Sequence, residues 1–346
     1  MMMKVLAAAA LAAGLMHAAP SRAQDSLIFA GPGGSWQRLM DARVLAQFRT
    51  MCGCRVRYQP ATSNESLARV IATRANPEID VMYSGDLQQV EGAMLDLFEE
   101  LDTTKVPNMA NIFPQLRAPT TRNAYLGVIG GGIVYNREIF AQRGLTPPTS
   151  VMDLLRPEFR GRVVIEGAAS NYGMGMLILM ARAAGGGVEN IDPGFDLSRR
   201  MRENVVVFAR NTADTTRAFQ QGTAWIGWWG DTRAYTLADT GFPIEYVTAR
   251  EGIPPIIMGA SVVRGSRVAE TGYRLINFLL TPAVQATMAE ILSLGPTVRD
   301  VTIPPAIAAR VIDGPEEVAQ VMVIDWTKVV AQKDAWIERW NREIQR

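Results

Sequence analysis

Histidine is almost absent from this 346-residue chain, which carries one, His17. That residue falls in an apolar leader, so the remainder of the chain has none. Ser-His-Asp and Cys-His catalysis are thereby excluded, as are histidine-ligated metals. Cysteine is equally scarce, with only Cys52 and Cys54. Two thiolates make half a zinc site, so no metal is expected. In an oxidising compartment the two can pair across Gly53, or they can stay as thiols. Neither sign of charge is in excess, with 35 Lys+Arg against 34 Asp+Glu. The arginines are dispersed and form no basic patch, which excludes a nucleic-acid partner. No Gly-x-Ser-x-Gly elbow and no placed pair of carboxylates occurs, so an exported α/β enzyme lacks both nucleophile and base. No catalytic residue and no cofactor are expected.

The leader itself is legible. Lys4 supplies a basic start, residues 5–19 are apolar, and Ser21-Arg22-Ala23 ends in a small-x-small cleavage pattern. The sequence predicts a signal peptide over 1–23 and export to the periplasm. No cysteine stands at the cleavage point, so no lipid anchor is expected. No later run reaches about 18 uninterrupted apolar residues, as a membrane span requires. Processing removes Lys4 and Arg22, which leaves 33 basic residues against 34 acidic ones. A chain of this length exceeds one ordinary core, so two lobes are expected.

Strand–helix units repeat along the rest. Residues 26–30 (SLIFA) read as a buried strand, 31–35 as a glycine-rich loop, and 36–51 as an amphipathic helix. The glycines do not fit the dinucleotide fingerprint. Strands follow at 55–59 and 80–83, with helices at 65–74 and 87–97. Residues 125–136 (YLGVIGGGIVYN) read as a long strand interrupted by Gly130-Gly131-Gly132. Glycine is costly in a strand interior, so three together mark a bend or a close approach to the backbone. A second series follows, with strands at 162–165, 205–209, 224–229 and 245–248, and helices at 136–143, 151–155, 172–184 and 215–221. Residues 256–263 repeat the apolar, glycine-bearing character of the long strand. Helices at 271–280 and 282–292 precede a helical tail, on which Trp326, Trp336 and Trp340 can pack. The fold class is α/β, with mixed, mostly parallel sheets flanked by helices.

Four segments carry a resemblance. They are DVMYSGDLQQVEGAMLDLFEEL from Asp80, GIVYNREIF with LTPPTSVMDLLRPEFRGRVVI from Gly132, FQQGTAWIGWW from Phe219, and GASVVRGS with INFLL and TPAVQ from Gly259. In this order, behind a leader, they resemble the periplasmic solute-binding proteins of ABC importers. They look most like the branch of polyamine, ferric-iron, thiamine and phosphonate binders. The resemblance implies a two-lobed type II binding-protein fold, with 24–127 plus 260–346 as one lobe and 128–259 as the other. It implies two hinge crossings, with Gly130, Gly131, Gly132 and Gly259 as hinge residues. It also implies a monomer that captures a small solute between the lobes and hands it to permease subunits. A ligand-sensing module for a receptor is the alternative role.

Ligand contacts in such folds come from loops at strand ends. Those loops nominate Ser35, Trp36, Ser84 and Asp86 in the first lobe. In the second they nominate Ser170, Asn171, Tyr172, Trp228, Trp229 and Asp231. Strand alternation sends one of Trp228 and Trp229 to the cleft and the other to the core. Aromatics and carboxylates suit an amine, whereas the helix start at Asn171 suits an anion; a zwitterion uses both. The return crossing, Ile257-Met258-Gly259, lacks the acidic residue usual in polyamine binders. Trp228-Trp229 stands where ferric binders place neighbouring tyrosines. The leader makes the first prediction: the exported protein has the intact mass of a chain beginning at Gln24. A mass that retains residues 1–23 contradicts it.

Overall fold

The computed structural model describes residues 26–345, so the leader expected at 1–23 lies outside the described residues. The strands are β1 (Ser26–Gly31), β2 (Arg55–Pro60), β3 (Val81–Gly85), β4 (Ala124–Asn136), β5 (Val163–Glu166), β6 (Val205–Ala209), β7 (Ile226–Gly230), β8 (Ile244–Val247) and β9 (Pro255–Val262). They join edge to edge in the order β2-β1-β3-β9-β4-β7-β5-β6, with β8 also on β4. Parallel pairs β1–β2, β1–β3, β5–β6 and β5–β7 form the outer parts. Antiparallel pairs involving β4 and β9 form the middle. Strands β3, β5 and β7 are buried at every position, because helices cover both faces.

The long strand β4 belongs to both halves of this sheet. From Ala124 to Gly130 it pairs with β9, and from Gly131 it pairs with β7. The chain recrosses just before β9, where the Gly131 N–H donates to the Pro254 carbonyl at 3.0 Å. The three glycines of the Gly130–Gly132 triplet have no positive φ. They are there because neighbours lie close. A Cβ on Gly132 would sit 2.4 Å from the Tyr246 ring, one on Gly130 2.8 Å from the Tyr246 hydroxyl, and one on Gly131 2.9 Å from the Pro254 carbonyl. Close approach is therefore the reason for the triplet. Gly259 lies inside β9, the return strand, paired to Ser84 on one side and Tyr125 on the other. Its carbonyl accepts from Gln89 Nε2 at 2.9 Å.

Other expectations need smaller changes. The helix expected over 36–51 runs from Ser35 to Cys52, with a π-helical turn at Met40–Leu45. Gly53, at φ 62°, ends it, and Cys52 is joined to Cys54 in a disulfide. Residues 151–155 form a 3-10 turn capped by Ser150. The helix Asp192–Met201 had no counterpart in the sequence reading. Its Asp-Pro-Gly start resembles a turn, yet proline is well suited to a first helical turn.

The tail helix Trp326–Glu343 buries Trp326, Trp336 and Trp340 as expected. Lys333 pairs with Glu91 at 3.0 Å, while Arg199 pairs with Glu343 and Arg339 with Asp192. The helix therefore straddles the two halves. No single helix among the described residues is long and apolar enough to cross a membrane.

The packing of Tyr246 against β4 makes a direct prediction. Gly132→Ala should lower unfolding stability by about 1–3 kcal/mol, the usual range for overpacking, read from the midpoint of urea denaturation. Gly132→Ala combined with Tyr246→Leu should recover part of the loss. An unchanged midpoint in the single variant would show that Tyr246 does not press on this strand.

Candidate functional site

A cleft of about 770 Å³ opens where the two halves of the sheet face each other. Its apolar floor is Ile129 of β4 with Ile256 and Met258 of β9. Its walls are mostly the starts of helices. The helix Ser63–Ala72 is capped by Thr62, whose side chain accepts the Glu65 N–H at 3.2 Å. The helix Asn171–Ala183 is capped by Ser170, which accepts the Gly173 N–H at 3.0 Å. The helix Thr212–Gln220 is capped by Asn211, which accepts the Asp214 N–H at 3.0 Å. All three caps line the cleft. A helix start presents free N–H groups and the positive end of the macrodipole.

Arg233 lies within the first turn of the helix Asp231–Ala238 and lines the cleft. Its guanidinium reaches across to Trp36, 5.2 Å from that ring's centroid. Among the described residues no carboxylate pairs with it, and its Nε is without a hydrogen-bond partner. The indole N–H of Trp36, 3% exposed and lining the same cleft, is also unpartnered. Beside Arg233, burial pushes the Tyr172 hydroxyl up to about 12 although the guanidinium opposes the shift. Glu166, at the end of β5, is the one carboxylate among the described residues that lines the cleft. Burial raises its pKa, against the opposing pull of Ser170 and Arg233. The two sides touch: Asn64 Nδ2 donates to the Ala169 carbonyl at 3.4 Å.

Of the residues nominated from sequence, Ser35, Trp36, Ser170, Asn171 and Tyr172 line this cleft. The other five do not. Ser84 is buried and accepts from Gln89 Nε2 at 3.0 Å, within a polar cluster that includes Asn123 and Ser261. Asp86 and Asp231 are buried and turned toward backbone amides. Trp228 and Trp229 are each 1% exposed, in two different apolar clusters on opposite faces of β7. Alternation was read correctly, but β7 is an inner strand with a core on each face, so neither indole is left for the cleft. Sequence reasoning missed Arg233, Asn211, Thr62, Asn64 and Gln345, which all line it. Asn211 follows the end of β6 and obeys the same strand–loop–helix rule that found Ser170. Arg233 and Gln345 carried no local signal.

Comparison with known proteins agrees with this architecture. A family model described as bacterial extracellular solute-binding protein matches residues 43–312. The spermidine/putrescine-binding periplasmic protein of Salmonella typhimurium is 26% identical over 322 residues, covering 90% of this chain and 86% of that one. A putative 2-aminoethylphosphonate-binding periplasmic protein from the same organism is 25% identical over 307 residues, covering 85% of each. The crystal structure of an ABC transporter protein from Clostridium perfringens superposes with a TM-score of 0.77 at 21% identity, covering 92% of this chain and 99% of that one. With a shared fold and a cleft between two half-sheets, the chain belongs to the bacterial extracellular solute-binding proteins, the solute-capturing components of ABC transporters rather than enzymes.

Proposed function

We propose that this protein captures a small anionic solute, one carrying a phosphonate, phosphate or carboxylate group, and delivers it to a permease. The supporting observation is a surplus of donors. Arg233 has no carboxylate partner among the described residues, the Trp36 indole N–H has no acceptor, and three helix starts open into the same cleft. Such groups favour an acceptor-rich ligand. A polyamine needs carboxylates, and among the described residues only Glu166 offers one to the cleft, its pKa raised by burial. Arg233 would hold the anionic group, with Tyr172, Ser170 and Asn171 beside it. Trp36 would close over it from the first half. Glu166 is placed to take an ammonium group if the solute is a zwitterion, as in the 2-aminoethylphosphonate named for one relative.

In this reading the two half-sheets are lobes, divided near 127/128 and 259/260. They close about the crossings at Gly130–Gly131 and Pro254–Pro255. The Asn64–Ala169 contact belongs to the closed form. The protein works in the periplasm, as its leader and the periplasmic relatives suggest, and acts as a monomer.

A thermal-shift panel tests the ligand class. It contains 2-aminoethylphosphonate, inorganic phosphate, fructose 6-phosphate, γ-aminobutyrate, spermidine and putrescine. A true ligand at 100 times its Kd should add about 2.7 kcal/mol of stability. At least one anionic or zwitterionic compound should do so, and the polyamines should not. Arg233→Ala should weaken that binding about 10- to 100-fold, the range for losing a charge-assisted hydrogen bond. Stabilisation by spermidine alone, unaffected by Arg233→Ala, would overturn the assignment.

A further inference from the structure

The two aspartates that miss the cleft occupy equivalent places in the two halves. Strand β3 ends at Gly85, opposite Met258 of β9, and Asp86 follows. Strand β7 ends at Gly230, opposite Gly131 of β4, and Asp231 follows. Each aspartate begins a helix, Asp86–Met94 or Asp231–Ala238, that has no side-chain cap. In the second half the next backbone N–H of the antiparallel partner meets the carboxylate, where Gly130 N donates to Asp231 Oδ2 at 2.9 Å. In the first half Asp86 Oδ1 accepts the Leu87 N–H at 3.1 Å and its Oδ2 has no partner among the described residues. The Asp231 carboxylate thus continues the ladder where the strand's own carbonyls stop.

The glycines before them complete the equivalence. A Cβ on Gly85 would strike Asn171 and approach Ile256, and one on Gly230 would strike Tyr172 and approach Ile129. Ile256 and Ile129 belong to the cleft floor, and Ile129 precedes Gly130, whose N–H Asp231 meets. Asp231 also starts the helix that carries Arg233. A carboxylate serving only the helix dipole could stand in water. These two are 0% and 4% exposed.

We propose that Asp231 is a positioning residue for solute capture: it fixes the crossing strand β4 beneath the cleft and thereby sets the place of Arg233. This rests on the cleft being the solute site. Other groups also face the two carboxylates. Tyr125 and Trp326, the latter from the tail helix, face Asp86. Tyr246, Tyr235 and Tyr172 face Asp231.

The test uses the full exported protein without ligand first. Burial pushes Asp231 up to about 7. The amide resonance of Gly130 should therefore move with a midpoint near pH 7 in the wild type and stay flat in Asp231→Asn. The Arg233 Nε–H resonance, assigned by its loss in Arg233→Lys, should shift in Asp231→Asn while thermal stability stays close to wild type. If Asp231→Asn does not fold, the wild-type Gly130 titration alone decides. A flat Gly130 amide in the wild type, or an Arg233 resonance unmoved by Asp231→Asn, overturns the proposal. A second arm measures 2-aminoethylphosphonate affinity, expected to fall at least tenfold in Asp231→Asn. Failure of that probe and of inorganic phosphate to bind the wild type counts against the anionic-solute reading, while the amide data still decide the role of Asp231.

Discussion

The structure depends on one strand serving two half-sheets. Strand β4 changes partner between Gly130 and Gly131, from β9 to β7. Every other strand lies wholly to one side of that step. The exchange requires close packing of backbone on side chain, because Tyr246 and the Pro254 carbonyl press on the three glycines. It also leaves a backbone N–H at the point of exchange, which the Asp231 carboxylate takes. The cleft lies over this junction, so its floor is as well ordered as the sheet.

Chemistry in the cleft follows from what is left unpaired. Elsewhere in the molecule several arginines meet carboxylates, as Arg122 does with Asp96 and Glu100. Arg233 instead faces an aromatic ring and a phenol. A guanidinium kept from its usual partner, beside several helix starts, lowers the free energy of a bound anion. The homologous polyamine-binding proteins show that the fold accepts cations as well, so ligand class is decided by such side chains and not by the fold.

Much of this was legible in the sequence, and the remainder was hidden for physical reasons. The alternation of apolar strands and amphipathic helices gave the order of elements, and the triplet at Gly130 marked the place where the half-sheets join. Its cause was not legible, because Tyr246 is distant in the chain. Trp228 and Trp229 were placed on opposite faces of their strand, but a sequence does not say that both faces are covered. Asp86 and Asp231 were correctly put at strand ends. A carboxylate's partner there can be solvent, ligand or backbone, and only the register of β4 and β9 reveals backbone. Arg233 looked like one more dispersed surface arginine until the fold turned it across the cleft to Trp36.

The most direct measurement is the identity of the molecule the protein carries. Protein purified from the periplasm without added ligand is denatured, and the released small molecules are identified by mass spectrometry. The account predicts a solute with at least one phosphate, phosphonate or carboxylate group, absent from the Arg233→Ala variant prepared in the same way. A polyamine released in equal amount from both proteins would contradict it.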